Sequence, residues 1–247
     1  MDFSIVIPAF NESLKIRFDV EAAASFICEA RLLGEIIVVD DGSTDNTTEV
    51  ARSAKISSSV RRVVIRLDKN SGKGTAVKTG LKETQGDVVL FADSGTCIPY
   101  SNAKPIIEQI RDGDLDLAHA SRRLKETVIH RNRTLKRRVL AWLFHQAAVW
   151  VTGLPRRITD SQCGFKLYKG EIARKLYEEC ITTEYLFDLE VLLRAIQLGY
   201  RIKEFPVEWS CDLDSRLRPG PDAPGVLKDL FKVRAIIKKM KHDLDYS

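Results

Sequence analysis

Four short apolar runs punctuate the first hundred positions: "FSIVIPAFNE" from Phe3, "EIIVVDDGSTDNT" from Glu35, "VRRVVIRL" from Val60 and "DVVLFAD" from Asp87. Each stops at proline, carboxylates or turn residues, as strands do. Between them, over Leu14 to Leu33, Thr44 to Ala54 and Lys73 to Thr84, lie segments of helical length. Strands rich in Val and Ile that alternate with helices predict an α/β domain with a mostly parallel sheet covered on both faces.

In such sheets ligands sit beyond the carboxyl ends of the strands. The polar residues at those places are Asn11 and Glu12, Asp40 to Ser43, Asn70 to Gly74, and Asp93 to Thr96. Together they define a candidate binding edge, although each has a plainer reading. "DGSTDNT" also suits a turn with Ser43 or Thr44 capping a helix. "NSGKG" suits an ordinary loop, or a backbone that must approach a phosphate at a helix start. It lacks the GxxxxGK[ST] spacing of a Walker A loop.

The second half changes character. Residues Val139 to Val151, "VLAWLFHQAAVWV", have only His145 and Gln146 as polar members. They predict a helix, either buried in the core or lying in a membrane interface with its two tryptophans beside arginines. Val226, Leu230, Val233, Ile237 and Met240 follow a 4-3-4-3 spacing with lysines and an arginine between them. That is a basic amphipathic helix, packing on the domain or resting on an anionic surface. The Pro/Gly-rich "DLDSRLRPGPDAPG" before it predicts a loop that orders with ligand.

Composition narrows the class. At 247 residues and 44% apolar the chain is an ordinary globular protein. Five cysteines without CxxC or metal-ligand spacing read as reduced thiols. No signal peptide is expected before the strand at Phe3, and no run reaches the roughly 18 apolar residues of a spanning helix. The expected location is therefore cytoplasmic, at the cytoplasmic face of a membrane. The net charge is +5, yet Arg122 to Arg138 alone holds eight basic side chains against Glu126. A local cluster of this kind points to a specific anionic partner and away from nucleic acid.

Read in order, "IPAFNE", "VVDDGSTDNT", "NSGKGTAVKTG", "LFADSG", "SR", "TDSQCGFKLY", "FDLEVL" and "SRL" resemble the inverting family 2 glycosyltransferases. Among these the likeness is to enzymes that use dolichyl or other polyprenyl phosphates as acceptors. It covers about residues 3 to 218, and implies a catalytic domain over 1–218 followed by a basic helix and tail over 219–247. It further implies a GT-A-type nucleotide-sugar-binding fold with amphipathic helices in the C-terminal half. UDP-glucose is the implied donor and a polyprenyl phosphate the implied acceptor; the alternatives are a polysaccharide, small-molecule or protein acceptor, or nucleotide-sugar binding without turnover.

By the same resemblance, Pro8, Asn11 and Glu12 match the motif at base and ribose, and Asp41 the carboxylate that reads the base edge. Lys73 matches the basic residue of the Gly-rich loop, Gln162 a contact to sugar or phosphates, and Asp93 the first acid of a DXD motif. Relatives usually carry a second acid where this chain has Gly95, and it commonly ligates Mg2+ or Mn2+. Asp93, helped by the Ser94 or Thr96 hydroxyl, is then the expected metal ligand.

In the implied reaction a lipid phosphate oxygen attacks the anomeric carbon, and two anionic substrates must be held together. Arg122, with Arg131 or Arg133, fits the acceptor phosphate, and Arg216 would close over the diphosphate, because guanidinium forks match phosphate oxygens in pairs. Asp160 in "DSQCGF" would orient the acceptor or steady the anomeric centre, with general base as the runner-up. Asp188 and Glu190 are expected to position arginines.

Overall fold

The computed structural model describes residues 1–131, 134–210 and 223–245. β1 (Phe3–Ala9), β2 (Gly34–Asp40), β3 (Arg61–Arg66) and β4 (Val88–Ala92) are the four predicted strands. They are joined by α1 (Ile16–Glu29), α2 (Thr47–Ser53) and α3 (Lys73–Lys82). A single 3-10 turn (Tyr100–Ala103) leads into α4 (Lys104–Arg111) and β5 (Leu117–Ser121). Then come β6 (Val128–Arg131), α5 (Leu135–Thr152), β7 (Phe165–Lys169), α6 (Gly170–Glu178) and α7 (Phe187–Gln197). The chain continues through β8 (Ile202–Pro206) and β9 (Glu208–Ser210) to α8 (Ala223–Asp245).

Seven strands form one sheet in the order β3-β2-β1-β4-β7-β5-β8, while β6 and β9 pair separately. Every neighbour pair in the large sheet is parallel except those made by β7, which runs against β4 and β5. The mostly parallel sheet expected from the Val/Ile runs is thus present. The reversal of β7 has a consequence for the site: residues that precede it arrive at the edge where the parallel strands end.

Pleating sends alternate side chains of β1 into two cores. Phe3, Ile5 and Ile7 pack with Phe26 and Ile27 of α1 and with α4, whereas Val6 faces α3, α6 and α7. Both faces are dry, which accounts for strands without polar alternation.

Helices α5 and α8 each combine a buried side with an exposed one. On α5, Ala148 and Val151 are buried in the second core, yet Trp150 is 83% and Leu135 73% exposed, and Val139, Trp142 and Leu143 are exposed with them. The helix is both a core helix and an apolar surface. On α8, Leu230, Val233 and Ile237 enter the same core, and Lys228, Lys232, Arg234, Lys238 and Lys239 remain in solvent. No helix among the described residues is long and apolar enough to cross a membrane. Cys28, Cys97, Cys163 and Cys180 are free thiols, and Cys211 lies outside the described residues.

Candidate active site

The turns after β1 and β2 are laced to each other. Asn11 adopts φ +50°, its N–H donates to Ser43 Oγ (2.8 Å), and its Oδ1 accepts from the Thr44 N–H (2.8 Å). The Glu12 N–H donates to Thr47 Oγ1 (2.8 Å). Asp40 is buried and accepts from the Ser43 N–H and the Thr48 hydroxyl, so it shapes the turn. Pro8 sits within β1 opposite Val39.

Asp41, 4% exposed, accepts from the N–H groups of Ser71 (2.7 Å) and Gly72 (3.0 Å), which ties the Gly-rich loop to the end of β2. Burial raises its pKa, against the lowering effect of those bonds. Gly72 holds φ +95°, and a Cβ there would stand 2.6 Å from the Thr183 carbonyl oxygen. Only glycine lets this loop seat so closely on the Thr183 carbonyl.

That seating places Lys73 at the first position of α3 with its Nζ 2.6 Å from Asp93 Oδ1. The ammonium also lies over the rings of Phe91 (5.3 Å) and Phe187 (5.9 Å). Burial works against the Lys73 charge, but Asp93 and Asp188 outweigh it and raise its pKa. Asp93 itself is fixed by its N–H to the Gly164 carbonyl (2.8 Å). A Cβ on Gly164 would fall 2.1 Å from the Asp93 carboxyl carbon, so the glycine of "CGF" makes room for that side chain. Beyond Asp93, the Gly95 and Thr96 N–H groups donate to Asp19, buried on α1 (2.9 and 2.7 Å). Burial pushes the Asp19 carboxyl up to about 7 despite these bonds.

On the far side of β4, Arg122 and Asp160 form a two-pronged pair: Nε to Oδ2 at 2.6 Å and Nη2 to Oδ1 at 2.7 Å. The Arg122 N–H adds a third bond to Asp160 (3.1 Å), and the guanidinium lies 5.8 Å from the Trp209 ring. Burial opposes the Asp160 charge, but Arg122 holds its pKa well below the usual carboxylate range. Arg122 is close enough to Asp93 and Lys73 for their charges to act on one another. The Gln162 amide carries a buried Nε2 with no hydrogen-bond partner among the described residues.

Several residues that hold this arrangement escaped the sequence reading. Glu204 on β8 accepts from the N–H groups of Thr159 (2.8 Å) and Asp160 (2.9 Å) and so sets the turn that carries Asp160. Lys166 on β7 is buried, donates to the Ser161 carbonyl (3.1 Å) and pairs with Asp188. Asp188, expected to position an arginine, therefore positions a lysine. Glu190 does meet an arginine, Arg194 (2.8 Å), while also accepting from Ile181 and Thr182. A lysine inside the apolar run "GFKLY" was the available signal, since a buried ammonium requires a partner. The Arg131 side chain, Arg133 and Arg216 lie outside the described residues.

The fold has solved counterparts. The structure of glucosyl-3-phosphoglycerate synthase from Mycobacterium tuberculosis in complex with Mn2+ and uridine-diphosphate-glucose matches with a TM-score of 0.67 at 19% identity, over 96% of this chain and 78% of that one. A structure described as that of a mycobacterial protein matches with a TM-score of 0.66 at 21% identity. The architecture is the GT-A glycosyltransferase fold that the sequence motifs implied. The family model for glycosyl transferase family 2 matches residues 4–176, and the chain belongs to that family. Relatives include the dolichyl-phosphate beta-glucosyltransferases of Saccharomyces cerevisiae, 33% identical over 94% of this chain and 73% of theirs, and of Homo sapiens, 30% identical over 94% and 74%.

Proposed function

We propose that this glycosyltransferase moves a hexose, glucose from UDP-glucose, with inversion onto a polyprenyl phosphate of the dolichyl type at a membrane surface. The names of its relatives support the acceptor class and the sugar. The observation that carries the reading is the meeting, at one sheet edge, of Lys73–Asp93 with Arg122–Asp160, next to a helix with an exposed apolar face. Such an edge suits two anionic reactants, one of them attached to a lipid.

In this reading Pro8, Asn11, Glu12 and Asp41 receive the nucleoside, and Lys73 and Gln162 receive the phosphates and sugar. Arg122 faces the acceptor phosphate with the N–H groups that Asp160 does not use. An acceptor oxygen forms the new bond to the anomeric carbon as the bond to the nucleoside diphosphate breaks, and the released electron pair stays on the leaving phosphate. A phosphate monoester loses its second proton near pH ~6, so the nucleophile needs no base at neutral pH. Asp160, held so acidic by Arg122, is a poor proton acceptor. In this reading it orients Arg122 and the acceptor. Arg131, Arg133 and Arg216 remain candidates for the acceptor and diphosphate on sequence grounds.

An Mg2+ or Mn2+ ion borne by the donor phosphates would find one protein carboxylate here, Asp93, already ion-paired with Lys73. No group of three His, Cys, Asp or Glu side chains suitable for a metal occurs among the described residues. This donor set does not fit a resident ion, and the steps above run through protein side chains alone.

Incubation of the protein with labelled UDP-glucose and dolichyl phosphate tests the proposal. Chloroform-soluble label is the expected result. Its absence, with label passing instead to a water-soluble acceptor, would sink the lipid assignment.

A further inference from the structure

Transfer to an acceptor leaves charge on the departing diphosphate, and something cationic must meet it. Where two acids flank the site, a divalent ion fills that place. In this chain the second acid is Gly95, at φ +102°, and the N–H groups of Gly95 and Thr96 are turned inward to the buried Asp19 carboxylate. The loop after β4 thus spends these two N–H groups on Asp19 and presents one carboxylate, Asp93, to the edge.

That carboxylate already has a cation. Lys73 Nζ stands 2.6 Å from it; Asp93 Oδ1 is itself buried, while the two side chains as wholes are 31% and 39% exposed. The placement is enforced from every side. Asp93 is locked against Gly164, Lys73 opens a ten-residue helix whose preceding loop is tied to Asp41, and the rings of Phe91 and Phe187 line the ammonium. Behind Lys73, Asp188 is drawn to Lys166 as well, which makes a row of alternating charge: Asp93, Lys73, Asp188, Lys166. A lysine ammonium is a compact charge with three donors. One is directed at Asp93; in a donor complex the others would meet phosphate oxygens together with the N-terminal end of α3.

We propose that Lys73 is the built-in counter-cation for the donor diphosphate, held in place by Asp93, so that nucleotide binding needs no divalent metal. The inference rests on the nucleotide-sugar reading and adds the source of the positive charge. Asp93 is then a positioning residue for Lys73.

Calorimetric titration of the full chain with UDP, and with GDP as a second probe, in EDTA and in saturating Mn2+ tests this. Expected is a UDP affinity that differs by less than about threefold between the two buffers. Lys73→Met should lose at least about tenfold in EDTA and become responsive to Mn2+, whereas Lys73→Arg retains most of the affinity. Asp93→Asn separates the roles without removing the cation: a positioning residue weakens UDP binding equally in both buffers, while a metal ligand would abolish only a Mn2+-dependent gain. Tightening of the unaltered protein by tenfold or more in Mn2+ overturns the inference while leaving the nucleotide-sugar reading intact. Failure of both nucleotides to bind in either buffer overturns the two together.

Discussion

Asp160 and Arg122, the pair proposed to face the acceptor, also bear on stability. Both are largely buried, at 5% and 15% side-chain exposure, and each satisfies the other with two bonds. Removing one charge from such a pair is costlier than the pair's own net worth. Asp160→Asn should destabilise the fold by about 3–5 kcal/mol in urea unfolding, through an uncompensated guanidinium. The pH dependence has a definite sign. Because the folded pKa of Asp160 is depressed, its stabilising contribution is complete above the unfolded value near ~3.9 and is lost as pH falls below it. The variant should therefore lose less stability than the unaltered chain on acidification below about pH 4, and parallel unfolding curves there would refute the assignment. The sequence offered both residues as candidates but could not show that they are partners, since 38 positions separate them.

At the scale of elements, α5 carries the apolar face through which the proposed membrane contact would be made. Leu135, Val139, Trp142, Leu143 and Trp150 recur at helical spacing and share the exposed side, while Ala148 and Val151 anchor the helix in the core. Arg123 reaches this helix, donating to the Ala141 carbonyl (2.8 Å), and the exposed Arg138 lies on it. Tryptophans beside arginines suit an anionic bilayer interface. Replacing Trp142 and Trp150 together by serine should abolish flotation with phosphatidylserine vesicles. UDP affinity should be unchanged and stability should shift by no more than about 0.5 kcal/mol per substitution, as at other exposed positions. Flotation equal to that of the unaltered chain would remove the membrane role from this face. The apolar pattern of 139–151 was visible in the sequence, but the helix is apolar nearly all round. Which side meets the core depends on α8, an element distant in the chain.

For the whole molecule, the row beneath the site couples acid sensitivity to the sheet. His119 on β5 lies opposite Lys166 of β7 and Glu204 of β8 and is fully buried. Burial lowers its pKa to about 4, with Lys166 acting in the same direction and Asp160 against it. A histidine kept neutral in the fold but protonated when unfolded costs stability as pH falls from its ordinary value, 6.5, to about 4. The full effect is about 3 kcal/mol. His119→Leu should flatten thermal stability across that window and change it little at pH 7, and a slope equal to that of the unaltered chain would count against the histidine. Local periodicity by itself determined the strands β1 to β4, the helices between them and the order of motifs along the binding edge, because strand and helix periods are short-range. Only the tertiary structure decided which charges are partners: Lys73 with Asp93, Arg122 with Asp160, Lys166 with Asp188. Those pairings arise from sheet order and the reversal of β7, which bring together residues that no local pattern relates. For "FADSGT" the sequence showed the missing second acid, whereas the fold showed a lysine already beside the first.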